Sequence, residues 1–377
     1  MKNLNRLFFA LVLIATITTV HAQRILLVDN NPGAPTDDGK TNSFVYNDLA
    51  SALLAAAAGD ILHIKPSPND YGNVTISTDD ISIIGIGFNP DKDLPITSVI
   101  GRIDLDASNV RIAGMVVDVI DIINSTGTGN TATGISIEGC QIRQILAASS
   151  DDFADNIIVR NCLLGNNIDN NNSNRAIDFG ANTSNAIVTN NIIVGSTGTT
   201  GLGAVSAQGA LIKNNLFLGN GDALRKAFSL IANCTVNNNI FYGRSPQFST
   251  SSTNNVFNSN VSVGVASGDE VFPPIGGSGD TEDANNLEGH PATPSPFSDA
   301  NIVIADAWIL SWDQTLDPTN ASTWISSGTD ATNRGPTGST LGFSTTGTPV
   351  PFIKIFNTTE IIKQGTDLNV TIEAQGN

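Results

Sequence analysis

Four charged residues stand where a repeating backbone would bring them together: Arg160, Arg175, Asp178 and Lys213. Arg160 and Lys213 each sit just before a recurring glycine-or-asparagine position, in IIVRN and LIKN. A repeated strand would then carry both on one outward face, two repeats apart, roughly 10 Å. Arg175 and Asp178 fall between them, in RAIDFG. A basic pair flanked by a carboxylate can abstract a proton and hold an anion. A second group is acidic: Asp151, Asp152 and Asp155, with Asp104 and Asp106 elsewhere. Clustered carboxylates are weak candidates for a hard divalent cation such as calcium. Each group also has a plainer reading. Charges on an exposed strand face are commonly solvated and discourage edge pairing, and an acidic cluster ahead of a strand is commonly a solvated turn. The residues alone leave both readings open.

Other chemistries lack their parts. The chain carries no phosphate-binding loop, zinc-ligand spacing, nucleophile elbow or dinucleotide fingerprint. Glycine-rich TGTTGLG (197–203) has no lysine and no following helix pattern. Beyond the first 22 residues the only histidines are His63 and His290, neither among the central repeats.

The elements that must position these groups follow from a spacing. Gly85, Gly114, Gly139, Asn161, Asn190, Asn214 and Asn238 recur at intervals of 29, 25, 22, 29, 24 and 24 residues. Each opens or interrupts a short apolar run. Glycine and asparagine share tolerance of the left-handed backbone conformation. A sharp bend returning every two dozen residues between β-rich runs describes a coil wound once per repeat. The residue after the bend reads Ile86, Met115, Cys140, Cys162, Asn191, Asn215 and Asn239. Pointing inward, the last three would form an asparagine ladder, because buried amides must be paired. The alternative is surface asparagines in turns. Cys140 and Cys162 would stack in neighbouring coils, as buried free thiols or as a disulfide. Phe217 and Phe241 align and should stack as well.

Around this core the chain divides into five parts. Lys2, Arg6, an apolar run and Val20-His21-Ala22 read as a signal peptide, residues 1–22, cleaved near Ala22. Its loss takes two of the 18 basic residues and leaves 16 against 35 acidic ones, a net of −19. That charge repels nucleic acid and anionic membranes, and no later stretch is apolar enough to span a bilayer. Residues 23–260 hold the coils, with a helix from Ser43 to Gly59 covering the N-terminal end. Residues 261–296, rich in Gly, Pro, Ser and Asp, read as a loop or linker. Residues 297–346 read as a closing coil, with Trp308, Trp312 and Trp324 covering an end of the core. Residues 347–377 hold two strands, Ile353–Phe356 and Leu368–Glu373.

The stretch GDILHIKPSPNDYGNVTISTDDISIIGIG (59–87) resembles the opening coil of the right-handed parallel β-helix, or pectin-lyase-like, superfamily. The likeness extends over residues 24–258, and the motifs speak to fold. It implies an all-β, right-handed parallel β-helix with an N-terminal capping α-helix and an irregular C-terminal β region. It also implies three chemistries to test. Calcium-assisted lyases carry arginine-rich motifs that are absent here. Inverting hydrolases carry Asn-x-Asp, Asp-Asp, Gly-His-Gly and Arg-x-Lys pieces, of which only Asp151-Asp152 is present. A Lys/Arg base-and-acid pair acting on an anionic sugar would draw on Arg160, Arg175, Asp178 and Lys213.

The reading that follows is an exported, non-catalytic β-helix protein. It would be structural, or bind extracellular carbohydrate or a cell-surface partner, and needs no cofactor. The alternative is a polysaccharide lyase or glycoside hydrolase acting on a uronate-containing glycan, with calcium under the lyase form alone.

Overall fold

A computed structural model describes residues 23–34, 44–87, 97–123, 132–147, 154–165, 175–180, 183–194, 203–219, 226–283, 285–291, 328–329, 333–338 and 342–343, and the backbone of Phe352–Thr358 and Val370–Gln375. The signal peptide, Asp151, Asp152 and the three tryptophans lie outside these residues.

The fold is an all-β, right-handed parallel β-helix, the hand that parallel crossovers adopt. Its first sheet has twelve strands, all parallel. After Val45–Tyr46, Ile25–Val28 and Ile61–Ile64 it gains one short strand per coil, from Ser82–Ile84 to Thr281–Glu282. The second sheet has fourteen strands and forks. Val99–Leu105, Val116–Ile122 and Gln141–Leu146 are long strands that serve both of its arms. In the next coil Gly165 turns at φ +74°, and residues 166–174 separate Leu163–Leu164 from Ile177–Asp178. From there one arm runs through Leu216–Leu218 to Leu287–His290, and the other through Val205–Gln208 and Lys226–Ala232 to Ser245–Thr253. A third sheet of three short strands joins Ala132–Thr133, Ala154–Asp155 and Thr183–Ser184.

Two left-handed corners bracket each first-sheet strand from Arg111–Ala113 to Val256–Asn258. Asn109 and Gly114, Gly134 and Gly139, Asn156 and Asn161, Asn185 and Asn190, Gly209 and Asn214, Asn233 and Asn238, and Asn254 and Ser259 all have φ between +50° and +70°. The spacing argument named the second member of six of these pairs and missed the first, five residues upstream. Gly85 is a correction of another kind. It is absent from the positive-φ set, but a Cβ there would lie 2.3 Å from the Gly114 carbonyl, so close backbone approach selects the glycine.

Side chains alternate in and out along each three-residue strand. Ile83, Ile112, Ile137, Val159, Val188, Ile212, Val236 and Phe257 point inward and are fully buried. Phe217 and Phe241 stack at 4.8 Å with planes 10° apart. Below them Cys140 and Cys162 are free and buried, and burial pushes the Cys162 thiol up.

The residue after the second corner builds a buried file of amides. Asn191 donates its backbone N–H and its Nδ2 to Asn215 Oδ1, both at 3.0 Å. Asn215 donates in the same way to Asn239, Asn239 to Asn260 and Asn260 to Asn286. Each Nδ2 also reaches back one coil, to Val159 O, Val188 O, Ile212 O, Val236 O and Phe257 O at 2.8–2.9 Å. A shorter file runs from the Cys234 N–H through Asn255 to Asp280.

Three boundary expectations change. Residues 261–296 are not simply a linker: Val261–Val263, Thr281–Glu282 and Leu287–His290 extend both sheets. Ser259 takes the corner there at φ +50°, so the glycine-or-asparagine signal lapses while Asn260 and Asn286 continue the file. The helix spans Leu49–Ala55 and is capped by Asp48, whose Oδ1 accepts from Ser51 N–H at 2.7 Å. Val45–Tyr46 ahead of it is a strand, which leaves Phe44 exposed. Ser43 lies outside the described residues. The described parts of 297–346 run lengthwise along the stack instead of adding a coil, because their backbone bonds to corner residues of three successive coils. Phe352–Thr358 and Val370–Gln375 pair antiparallel with each other.

Replacing Asn215 with alanine removes the acceptor for two donors of Asn191 and one of the two donors to Asn239 Oδ1, the backbone N–H of residue 215 remaining. Stranded buried groups of this kind cost about 3 kcal/mol in total. Urea unfolding of Asn215→Ala should show a loss of that size, with the β-sheet circular-dichroism spectrum retained.

Candidate functional site

The column just before the second corner is in strict register: Ala113, Glu138, Arg160, Thr189, Lys213, Asn237 and Asn258. Arg160 and Lys213 therefore share a face, with Thr189 between them. Arg160 is already engaged. Its guanidinium lies 3.0 Å from Glu138, and Arg111 reaches the same carboxylate at 3.2 Å. Burial pushes Glu138 up, but hydrogen bonds from Ser136, Arg111 and Arg160 outweigh it and hold the carboxyl below its usual range. The first-sheet charges thus form a coil-to-coil bracket.

Arg175 and Asp178 pair with each other, but on the forked second sheet. There Asp178 stands opposite Leu146 and Ser206. The structure accordingly divides the four residues into Arg160 with Lys213 on one sheet and Arg175 with Asp178 on another. Chain order could not show this, because sheet membership depends on the fork at residues 166–174.

The Arg175–Asp178 face carries charges that spacing alone overlooked. Along one outward column lie Asp104, Asp121, Leu146, Asp178, Ser206. Asp104 and Asp121 are direct neighbours and would repel. Arg102 binds both, at 2.5 Å to Asp104 and also to Asp121. The partner of Asp104 is thus Asp121 in the next coil, not Asp106 two residues on. Arg143 pairs with Asp118 at 2.5 Å on the bend of the same sheet. The signal for Arg102 and Asp104 was a polar residue at every second position of GRIDL (101–105).

In chain order, residues 124–131 and 148–153 follow strands of this face and residues 166–174, 195–202 and 220–225 precede them; all five stretches lie outside the described residues. Variable loops carried by a rigid coil stack are the usual place for a binding site. The register of this arm also slips, between Val205 and Ala207 and again between Lys226 and Leu230. Bulges of this sort re-aim side chains next to functional sites.

Asp155 serves a corner. It accepts from Ser184 Oγ at 2.6 Å, Asn185 Nδ2 at 2.8 Å and Asn156 Nδ2 at 2.7 Å. Those hydrogen bonds, led by Ser184, pull its carboxyl below the usual range. Among the described residues no three His, Cys, Asp or Glu side chains converge as a metal-binding group. His63 lies in the first coils, where burial and then Lys65 push it down.

The ion pairs give a pH dependence with a definite sign. A carboxyl held low in the folded state adds stability above its unfolded value, and that stability is lost as pH falls through the folded value. For Glu138 the ordinary value is 4.5, so its contribution is full above that pH and fades below it. Melting temperatures measured from pH 7 down to pH 3 should fall less steeply below pH 4.5 for Glu138→Gln than for the unaltered chain. Parallel curves would remove Glu138 from the account.

No protein-family profile matches the chain, and no curated protein matches it. Among solved structures it is similar to pectate lyase Pel9A, at 11% identity over 84% of this chain and 96% of that one, with a TM-score of 0.34. It is also similar to alginate lyase AlyF-OU02 in complex with G6, at 11% identity over 78% of this chain and 92% of that one, with a TM-score of 0.24. The β-helix itself rests on the strand register described above, and the placement of every charged group rests on this chain alone.

Proposed function

We propose that this is an exported, non-catalytic β-helix protein whose second-sheet face and surrounding loops bind an extracellular polysaccharide. The observation that carries the reading is the state of the face. Its described arginines and aspartates are joined in pairs: Arg102 with Asp104 and Asp121, Arg143 with Asp118, Arg175 with Asp178. A general acid needs a carboxyl pushed up toward the working pH. Every described carboxyl with a resolved shift moves down: Asp29, Asp60, Asp118, Glu138 and Asp155. Groups held this way are suited to donate and accept hydrogen bonds at fixed places.

The polymer class follows from the repeat and the charge. Coils stacked at roughly 4.8 Å offer similar groups at regular intervals, which fits a ligand that itself repeats. The formal net charge is −17, and Asp104, Asp121 and Asp178 share one column. An uncharged, hydroxyl-rich glycan meets no repulsion there, whereas a polyuronate does. Export is supported by Lys2 and Arg6 ahead of an apolar run from Leu7 to about Ile17 and the small-residue pattern Val20-His21-Ala22, and no helix among the described residues is long and apolar enough to cross a membrane.

A glycan array probed with the purified protein should give retention on neutral polysaccharides and no release of reducing ends or unsaturated products. Arg175→Ala should weaken retention at least about fivefold, the loss of one charge-assisted pair of hydrogen bonds. Sustained depolymerisation of pectate, alginate or any neutral glycan would replace this reading with a lyase or hydrolase. The N-terminus of exported protein should begin at Gln23.

A further inference from the structure

The outer face of one second-sheet arm is as apolar as its inner face. Leu163, Ile192, Leu216, Ile240 and Val261 follow one another in register. With Val194, Leu218, Tyr242 and Val263 they form a buried cluster separate from the central core. Their neighbours along the strands, Leu164, Ile193, Phe217 and Phe241, belong to that core. An outward apolar sheet in a coil stack needs a cover, and Phe343 is seated in this one.

The segment leading to Phe343 is gripped by the corners. Asn238 Nδ2 donates to Thr329 Oγ1 at 3.1 Å, and its Oδ1 accepts from the Thr329 N–H at 3.0 Å. Asn214 Nδ2 donates to Asn333 O at 3.1 Å. Asn190 Nδ2 donates to Pro336 O at 2.9 Å and also to Gly338 O. The Gly335 N–H donates to Asn238 O at 2.7 Å. Buried Arg334 donates to Asn260 O at 3.4 Å and Asn285 O at 2.9 Å. The carboxamides of three successive coils therefore hold a segment that runs back along the axis, Asn190 and Asn214 through its main-chain carbonyls and Asn238 through the N–H and hydroxyl of Thr329. Close packing is required as well. Gly335 has φ +82°, and a Cβ there would lie 2.4 Å from Ile240 Cδ1.

We propose that the described residues 328–329, 333–338 and 342–343 belong to a latch that closes lengthwise over a completed coil stack, and that the corner asparagines with the apolar outer sheet form its groove. The latch does not belong to the coil-to-coil ladder. Its removal leaves every strand pairing and the whole amide file in place, so it opens before the stack unfolds. Opening bares the outer sheet, an apolar surface of the kind that drives self-association. Recognition runs through main-chain groups and two close-packed glycines, so the groove accepts a tight turn between Gly335 and Gly338 and excludes one with bulk at residue 335.

Two measurements on the full chain test this. In native-state hydrogen exchange of the unaltered protein, the amides of Gly335, Gly338 and Phe343 should exchange at least about tenfold faster than those of Asn191, Asn215 and Asn239. Equal protection would show that the segment is integral to the stack and would overturn the proposal. In Gly335→Val, the sheet spectrum and the main urea transition should persist. Protease should cut within 328–343, a hydrophobic dye should bind, and a synthetic peptide of residues 328–343 should reverse both changes. A variant that stays uncut and dye-free, one that loses the main transition altogether, or one that the peptide does not restore would each overturn it.

Discussion

Register is the constraint on which this molecule depends. Stacking parallel coils with one residue above its counterpart leaves no freedom to choose partners. Whatever stands at a position must be compatible with the same position one coil up and one coil down. Apolar residues meet that condition by packing, as the inward series Ile83 to Phe257 does. Polar residues meet it only if each is both donor and acceptor along the axis. Asparagine qualifies: its Oδ1 takes two donors from the coil below while its Nδ2 serves two acceptors. This is why the buried polar file is made of amides rather than hydroxyls or acids. It also explains its ends, where Cys162 contributes only a backbone donor and Asn286 returns its Nδ2 to Phe257 O.

Charge obeys the same rule less comfortably. Two like charges in one column lie one strand spacing apart, so a cation has to bridge them. Arg102 does so for Asp104 and Asp121, while on the first sheet Glu138 joins Arg160 of the next coil to Arg111 of the previous coil, which stands in a different column. The functional consequence is that groups which look catalytic in isolation are committed to neighbours. A face assembled this way offers a fixed pattern of donors and acceptors and little spare proton affinity, which suits recognition better than proton transfer.

The sequence showed the coil because its strongest requirement, a left-handed corner, admits few residue types. It hid the first corner of each coil because Asn109, Asn156 and Asn185 sit at the ends of polar stretches, where asparagine attracts no notice. It hid the last coils because Ser259 adopts φ +50° without glycine or asparagine chemistry. The division of the four candidate residues was invisible for a different reason. Arg175 lies between Arg160 and Lys213 in the chain, but the fork at Gly165 places it on another sheet, and a fork has no residue signature. The charged face was half legible: Asp104 drew attention as an acid near Asp106, yet its real neighbour, Asp121, is close only once the coils are stacked.

The runs after the second corner, such as LFL and IFY, are apolar at every position, more than burial on an inner face alone demands. Period-two alternation would have sufficed for that. Three apolar residues in a row require burial on both faces, and the second cover has to come from outside the ladder. Residues 333–338 and 342–343 add no coil, and a further coil would extend the stack and leave the outer sheet bare. A segment lying along the axis satisfies the outer sheet across several coils at once. Corner asparagines that the backbone already needed for their conformation turn their carboxamides to it. One residue type thus answers two demands at the same position, first the left-handed turn and then the grip on the covering segment.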